Sequence, residues 1–220
     1  MSGETIPVPP PSASKPAQRM RQGDRRELVL AAATGVFGEF GYVGSTTAQV
    51  ARAAGVSQPY VVRMFGTKEK LFLEVLGRAL TALLAAFRAE IVRDSDVHLG
   101  RRLGGAYVGM LRHRGVLLSL MHGFVLGSDP VIGAYARSGL LEVYGVLRDE
   151  AGFSPAESQQ FLATGMLINT MIGTRMIDDF DSDPAARELL EAAFPDTLDL
   201  YAVLGAAGVD HTRNRPENDR

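Results

Sequence analysis

The sequence predicts an all-α protein with an N-terminal domain of three helices and a C-terminal helical bundle, about nine helices in all. Apolar residues recur at i, i+3/i+4 and i+7 spacing along most of the chain, which is typical of amphipathic helices. Few segments alternate between polar and apolar residues, so we expect no sheet. Glycine, proline and aspartate-serine clusters divide the pattern into segments. We expect a disordered arm at 1–22, the three-helix domain at 23–67, the bundle at 68–208 and a frayed tail at 209–220.

The composition excludes several kinds of site. The 220-residue chain has no cysteine, which excludes disulfides, thiolate chemistry and cysteine zinc sites. No apolar run approaches the roughly 18 residues that span a bilayer, and residues 1–18 lack the apolar stretch of a signal peptide. The motifs of zinc proteases and of phosphate-binding loops are also missing, and Pro184 stands where a calcium loop beginning at Asp179 would need glycine. We therefore expect a soluble cytoplasmic protein without a cofactor or metal.

Charge is divided unevenly along the chain. Residues 15–93 hold 12 Lys and Arg against 6 Asp and Glu, whereas the remainder holds 11 against 19. The excess of basic residues in 15–93 and of acidic residues in the remainder indicates that only residues 15–93 bind a polyanion. Many solvent-exposed helix faces carry a similar excess of basic residues. Five prolines in residues 7–16 predict an extended segment. The arginines that follow form either a solvated tail or a basic arm that grips phosphate or the minor groove; they are Arg19, Arg21, Arg25 and Arg26.

Residues 24–55 carry the start and stop signals of two helices. The first helix is predicted at 24–41 and ends at a glycine, the usual C-terminal residue. Thr46 and Gln49 then match a capping box, in which a Thr N-cap is followed three residues later by Gln. The helix that this box opens is predicted at 47–54, and Gly55 stops it.

A third helix is predicted from Ser57 to Phe65. Ser57 is a good N-cap, and Pro59 falls in the first turn, where a missing N–H costs little. Val61 and Phe65 lie one turn apart and should face inward. The tight turn before this helix makes the second and third helices a helix-turn-helix motif. Thr67 should cap the first helix of the bundle, and the predicted bundle helices are 68–92, 99–113, 114–126, 130–151, 154–176, 184–193 and 196–207.

The third helix could enter the major groove of DNA as a rigid rod. Gln58 can form paired hydrogen bonds with an adenine edge, and Arg63 can reach a guanine or a phosphate. At helix N-termini such as that of Thr46, backbone N–H groups favour phosphate. Taken alone, each of these polar residues could be a helix cap or a solvent-exposed side chain. The helix-turn-helix motif, however, places them together on one outward-facing surface. The expected DNA-binding residues are Thr46, Thr47, Ser57, Gln58, Pro59, Tyr60, Arg63 and Lys68.

The residues from Arg26 to Val75 resemble the N-terminal domain of TetR-family regulators. The resemblance implies an all-α fold of about nine helices, a homodimer, a palindromic DNA operator, and usually repression that a small-molecule effector relieves. The matching residues, in order, are Arg26-Glu27-Leu28, Ala31-Ala32, Phe37, Gly41-Tyr42, Thr46-Thr47, Val50-Ala51, Ala54-Gly55-Val56-Ser57, Phe65 and Thr67-Lys68-Glu69-Lys70-Leu71.

One position departs from the family pattern. The family commonly has a tyrosine three residues before the phenylalanine that is Phe65 here, and this chain has Val62, which cannot donate a hydrogen bond. Tyr60 is no simple substitute, because two residues turn about 200° around a helix. The run Gln58-Pro59-Tyr60 resembles a subgroup known from actinobacteria, and we expect Tyr60 to contact DNA.

The C-terminal half offers large or polarizable side chains that could line an effector cavity. Methionine and aromatic residues at helical spacing are usually core, and a buried polar residue among them needs a partner or a ligand. The expected lining residues are Met110, His113, Met121, His122, Phe124, Tyr144, Met166 and Asn169; Tyr135, Phe161, Met171 and Met176 belong to the same set.

The dimer interface is expected in the segments 154–176 and 184–207, because the resemblance places it in the last two long helices. Ala163, Gly165 and Gly173 would let helices approach closely, although packing within one chain would explain them equally well.

Two other functions remain open at this stage. One is a DNA-binding protein without ligand control. The other is a helical-bundle enzyme with His113, His122 and Glu142 as acid/base groups, although no ordered catalytic motif supports it.

Overall fold

The computed structural model describes residues 22–110 and 114–194, and within these ranges it contains nine α-helices and no strand. The all-α prediction is therefore confirmed. The arm at 1–21, the helix at 196–207 and the tail at 209–220 lie outside the described residues, as does His113. No helix among the described residues is both long and apolar enough to cross a membrane. The helices are α1 Gln22–Gly44, α2 Thr47–Ala53, α3 Gln58–Phe65, α4 Lys68–Val92, α5 Leu99–Gly109, α6 Arg114–Val125, α7 Ile132–Gly145, α8 Pro155–Gly173 and α9 Pro184–Ala193.

The first core joins α1, α2 and α3 to the start of α4. Phe37 and Phe72 meet edge to face, with ring centroids 4.9 Å apart, and both side chains are fully buried. Val61 and Phe65 of α3 point into this core, as their spacing predicts. Ile132 of α7 completes it, so the first core extends into the C-terminal bundle.

A close contact between α1 and α6 joins the N-terminal helices to the bundle. A Cβ added to Gly38 would lie 2.6 Å from the Cα of Gly115, so only glycine fits there. Ser119 of α6 is fully buried beside this contact, and its hydroxyl donates to the Gly115 carbonyl at 2.6 Å. α1 bends at Gly41, which has φ 68° and ψ 176°, and the imidazole of His122 packs against this bend. The helical backbone is thus interrupted at the glycine where the sequence predicts its end.

Two further cores fill the bundle. One lies between α4, α5 and the chain that follows α7, around Phe87, Leu103 and Leu147. The other joins α5, α6, α8 and α9, around Leu117, Met171 and Leu190. α7 ends at Gly145 and continues as one π-helical turn, Val146–Glu150, where the sequence predicts an uninterrupted helix.

The aspartates before α9 have structural roles. The Asp183 carboxylate accepts hydrogen bonds from the backbone N–H groups of Ala185 and Ala186, and so caps α9. Asp181 lies 3.6 Å from the guanidinium of Arg187.

Candidate functional site

The predicted capping box fixes the start of α2. The Thr46 hydroxyl accepts a hydrogen bond from the Gln49 backbone N–H at 3.2 Å, and the Gln49 side-chain oxygen accepts one from the Thr46 backbone N–H at 2.8 Å. Val50 and Ala51 bury the inner face of this helix. The exposed Thr46 is thus held in one geometry at a helix N-terminus, where free backbone N–H groups favour an anion.

Ser57 occupies the N-cap position of α3, but its side chain makes no capping hydrogen bond. A serine at this position predicts such a bond, and the bond is absent for a local reason. Pro59 removes one of the backbone N–H groups that a cap would bond, and the Tyr60 N–H bonds the Ser57 carbonyl instead, at 3.0 Å. The exposed Ser57 hydroxyl therefore keeps its hydrogen-bonding capacity at a helix N-terminus.

The outer face of α3 presents the polar residues that the sequence singles out. Gln58 and Arg63 are exposed, whereas Val61 and Phe65 on the opposite face are buried. The Gln58 side-chain nitrogen donates to the Thr47 hydroxyl at 3.1 Å, which ties the first turn of α3 to the first turn of α2. The Arg63 guanidinium lies over the Tyr60 ring, 5.2 Å from its centroid.

Lys68 has a different setting from the other predicted contact residues. Its ammonium group donates to the carbonyls of Tyr42 and Ser45, at 2.9 and 3.1 Å, and lies 4.4 Å from the centroid of the Tyr42 ring. Lys68 therefore links the start of α4 to the end of α1 and to the turn that follows α1. A DNA contact by Lys68 stays a prediction, with one N–H left to make it.

Arg26 joins three helices. Its guanidinium pairs with the Glu74 carboxylate of α4 and lies 5.0 Å from the centroid of the Phe65 ring of α3. Arg26 therefore holds α1 against the helix-turn-helix. Of the four arginines proposed for a basic arm, Arg19 and Arg21 lie outside the described residues and Arg26 is held in these contacts.

A cavity of about 710 Å³ lies in the bundle between α4, α5, α6, α7 and α8. Cavities that bind drug-sized molecules measure about 300–1,000 Å³ and are mostly apolar. Aliphatic and aromatic side chains form most of this wall, together with glycines on α5, α6, α7 and α8. Examples are Leu83 and Phe87 on α4, Val143 on α7 and Phe161 on α8.

One hydrogen-bonded pair stands in the apolar wall. The Tyr107 hydroxyl of α5 donates to the Asn169 side-chain oxygen of α8 at 2.6 Å. Burial raises the pKa of Tyr107 far above its ordinary value, so the phenol stays protonated at any physiological pH. Asn169 is 6% exposed, and a buried carboxamide of this kind needs hydrogen-bonding partners.

Comparison with known proteins identifies the N-terminal domain. The sequence model described as bacterial regulatory proteins of the tetR family matches residues 29–75, the segment that forms α2, α3 and most of their core. Over these residues, the chain is similar to the N-terminal domain of TetR-family regulators.

Individual relatives agree with this assignment. The chain is 31% identical over 87 residues to the transcriptional activator FasR of Mycolicibacterium smegmatis, which is 40% of either chain. It is 35% identical over 65 residues to the transcriptional regulator RutR of Escherichia coli, which is 30% of this chain and 31% of RutR. The chain thus aligns with 40% or less of the length of these curated relatives.

Solved structures extend the likeness to the whole described fold. A TetR-like regulator from Rhodococcus superposes with a TM-score of 0.59 at 18% identity, over 82% of this chain and 99% of that one. A TetR-family regulator from Mesorhizobium loti superposes with a TM-score of 0.52 at 18% identity, over 85% and 98%. At these identities the superpositions establish the fold alone.

The wall of the cavity contains only part of the predicted set of lining residues. Of the expected lining residues, Phe124, Met166 and Asn169 are in the wall, as are Tyr135 and Phe161. The structure does not place Met110, Met121, His122 or Tyr144 in it. His122 lies instead at the bend of α1, and Met110 packs against the core around Phe87. His113 lies outside the described residues.

Sequence reasoning missed the glycines and Tyr107. Gly104 and Gly105 of α5 line the cavity, and a Cβ added to either would have no atom within 4 Å. A pair of adjacent glycines within a helix is costly, which is the signal that could have drawn attention to them. Gly165 of α8 also lines this cavity, where its added Cβ would lie 3.7 Å from the Tyr107 ring.

Proposed function

We propose that the chain is a transcriptional regulator whose α3 reads a palindromic DNA operator, and that a small molecule in the bundle cavity controls its DNA affinity. The observation that carries the proposal is the outer face of α3. Gln58 and Arg63 are exposed and Tyr60 is half-buried, and all three side chains are pre-positioned on a helix whose inner face is fixed in the first core. A helix-turn-helix binds DNA in this way, with the second helix of the motif in the major groove.

The proposed DNA surface combines base contacts with phosphate contacts. Gln58, Tyr60 and Arg63 are the proposed base-reading residues, with Pro59 beside them. Thr46, Thr47 and Ser57 are the proposed phosphate contacts, because they lie at the N-termini of α2 and α3. Lys68 supports this surface through the Tyr42 and Ser45 carbonyls.

The proposed dimer forms through α8 and α9. The outer face of α8 carries small and apolar exposed residues: Ala163, Leu167, Thr170 and Gly173. Leu141 of α7 is 68% exposed, which makes it the most exposed leucine among the described residues. A two-fold dimer would present two copies of α3 to half-sites one helical turn of DNA apart, or a multiple of it.

The cavity favours ligand control over DNA binding that needs no effector. A space of about 710 Å³ left empty inside a helical bundle costs stability, because the side chains around it lose packing contacts that a bound ligand would supply. The enzyme alternative gains no such support: Glu142 is exposed on α7, whereas His122 packs against the bend of α1. We propose repression of transcription in the cytoplasm, relieved by the effector. A reporter gene under the operator, with and without the regulator, distinguishes repression from activation.

Selection from a random duplex library tests DNA recognition. The full chain should enrich an inverted repeat, and affinity for it should fall steeply with salt, as phosphate contacts require. The variant Gln58→Ala/Tyr60→Ala should lose the enrichment, and Gln159→Ala, at an exposed position of α8 outside the cavity wall, should keep it. Enrichment of no sequence by the wild-type chain, or an unchanged motif for the double variant, would overturn the proposal.

A further inference from the structure

We infer that the effector is an elongated, mainly hydrocarbon molecule that carries an uncharged oxygen acceptor, which receives a hydrogen bond from Asn169 inside the cavity. This inference rests on the proposed function, in which the bundle cavity is the effector site. It adds the chemical class of the ligand, which follows from the shape, the charge distribution and the donors of the wall.

The cavity is long because it follows slightly more than three turns of α8. Its wall takes residues from Glu157 to Asn169, and twelve residues of α-helix rise about 18 Å. Its space comes largely from missing side chains on the helix opposite, where Gly104 and Gly105 face open volume. A long and narrow ligand fills such a space better than a compact one, because each wall atom then has a partner.

The two ends of the cavity differ in exposure and charge. Arg101, His98 and Glu157 stand at one end, and all three are exposed. Hydrogen bonds from Ser154 lower the pKa of Glu157, so its carboxylate stays ionised at neutral pH. At the other end, Asn169 and Phe194 are buried. A charged ligand group would be left unpaired at the buried end, at a large cost, so the part of the ligand that reaches this end is uncharged.

Asn169 supplies the specific contact. Its side-chain oxygen is taken by the Tyr107 hydroxyl, which leaves the donor end of the carboxamide for the cavity. An amide N–H needs an acceptor, and a ligand carbonyl, ester or ether oxygen provides one. A pure hydrocarbon would leave this donor without a partner in an apolar setting, which costs about tenfold or more in affinity.

Binding of Nile red, a neutral dye that fluoresces in apolar surroundings, reports occupancy of the full-length chain. The competitors are methyl dodecanoate, dodecane and methyl butanoate, which separate the oxygen acceptor from chain length. We expect methyl dodecanoate to displace the dye at least tenfold better than either of the others. Equal displacement by dodecane would refute the acceptor, and equal displacement by methyl butanoate would refute the elongated shape.

Filling the cavity tests where the ligand binds. Gly104→Phe should weaken dye and ester binding at least tenfold, because the new side chain enters the open volume. Gly105→Leu is a second variant with the same expectation. Gly109→Phe is the matched control: this glycine is on the same helix, its added Cβ also meets nothing within 4 Å, and it is not part of the wall. Equal binding by all the glycine variants would overturn the assignment of the cavity.

Asn169→Leu combined with Tyr107→Phe isolates the hydrogen bond, because Asn169→Leu alone would free the Tyr107 hydroxyl as a new donor in the same wall. The double variant should abolish the preference for methyl dodecanoate over dodecane while the dye still binds, and an undiminished preference would overturn the role of Asn169. The affinity of every variant for the selected duplex is measured without ligand. If the wild-type chain binds DNA but shows no preference for methyl dodecanoate over dodecane, this inference alone is contradicted, whereas absence of DNA binding in the wild-type chain contradicts the proposed function.

Discussion

Tyr60 and Arg63 form one unit on the outer face of α3. The guanidinium lies 5.2 Å from the ring centroid, a contact worth about 0.5–1 kcal/mol at an exposed site. The contact restricts both side chains before DNA is present, so less side-chain entropy is lost on binding. Val62, which replaces the common family tyrosine, is 42% exposed and has no polar group. The pair of Tyr60 with Arg63 therefore carries much of the polar character of this face.

Arg63→Ala should weaken binding to the selected operator by about 1–3 kcal/mol, because a paired contact with a base edge is lost. Arg52→Ala is the control, since Arg52 is an exposed arginine in the last turn of α2. Fluorescence anisotropy on the operator and on point-substituted duplexes measures the effect. A uniform loss across all duplexes, with a salt dependence reduced by about one ion, would identify a phosphate contact instead and contradict base reading.

Lys68 should contribute more to folding than to DNA affinity. Lys68→Met leaves the Tyr42 and Ser45 carbonyls without their charged donor and removes the contact with the Tyr42 ring. We expect the free energy of unfolding in urea to fall by about 1–3 kcal/mol. Lys70→Met, at an exposed position two residues later, should change it by less than about 0.5 kcal/mol. Unchanged stability together with weakened DNA binding would make Lys68 a phosphate contact.

Among the elements, α1 and α6 meet without side chains between them at one point, Gly38 against Gly115. Gly38 and Gly115 bring the two backbones together, and the buried Ser119 hydroxyl bonds within α6 beside them. The same two helices meet again where His122 packs against Gly41. Because packed backbones have little room to adjust, a shift of α6 must move α1 and the helix-turn-helix that α1 supports.

Gly38→Ala tests this contact. Its Cβ would lie 2.6 Å from the Gly115 Cα, so the helices must separate, and we expect a loss of about 1–3 kcal/mol in urea unfolding. Gly35→Ala is the matched control on the same helix, because its added Cβ meets nothing within 4 Å. That variant should gain up to about 1 kcal/mol from helix propensity. Equal stability of the two variants would show that the helices do not pack at Gly38.

The sequence predicts the helices better than it predicts the cavity. The bounds of α4 and α9 agree with the predicted 68–92 and 184–193, because caps such as Thr67 and Asp183 act locally. The π-helical turn after Gly145 follows no local signal. Periodicity shows that Met121 or Met166 faces inward, but it cannot tell a filled core from an open space. That difference depends on which glycines from four helices, α5 to α8, face the same space.

At the scale of the whole molecule, Tyr135 lies where the cavity meets the N-terminal domain. Its ring lines the cavity, and it also borders a second groove next to the ion pairs of Arg26 with Glu74 and Glu27 with Arg78. These pairs join α1 to α4. The cavity and the groove therefore share the Tyr135 side chain. An effector that moves Tyr135 changes the surroundings of α1 and α4 together.

Gly77→Ala would move Tyr135 without any ligand, because its Cβ would lie 2.7 Å from the Tyr135 hydroxyl oxygen. Tyr135→Phe removes that oxygen, and the next atom of the ring, Cζ, is 3.8 Å away, an ordinary contact. We expect Gly77→Ala to lower the free energy of unfolding by about 1–3 kcal/mol and the double variant to recover most of it.

Coupling between two sites requires two states with different affinities. If displacement of Tyr135 favours the released state, Gly77→Ala also weakens operator binding, and Tyr135→Phe in the same chain restores it. Rescue of stability with DNA affinity unchanged throughout would show that the signal from the cavity reaches α3 by another route.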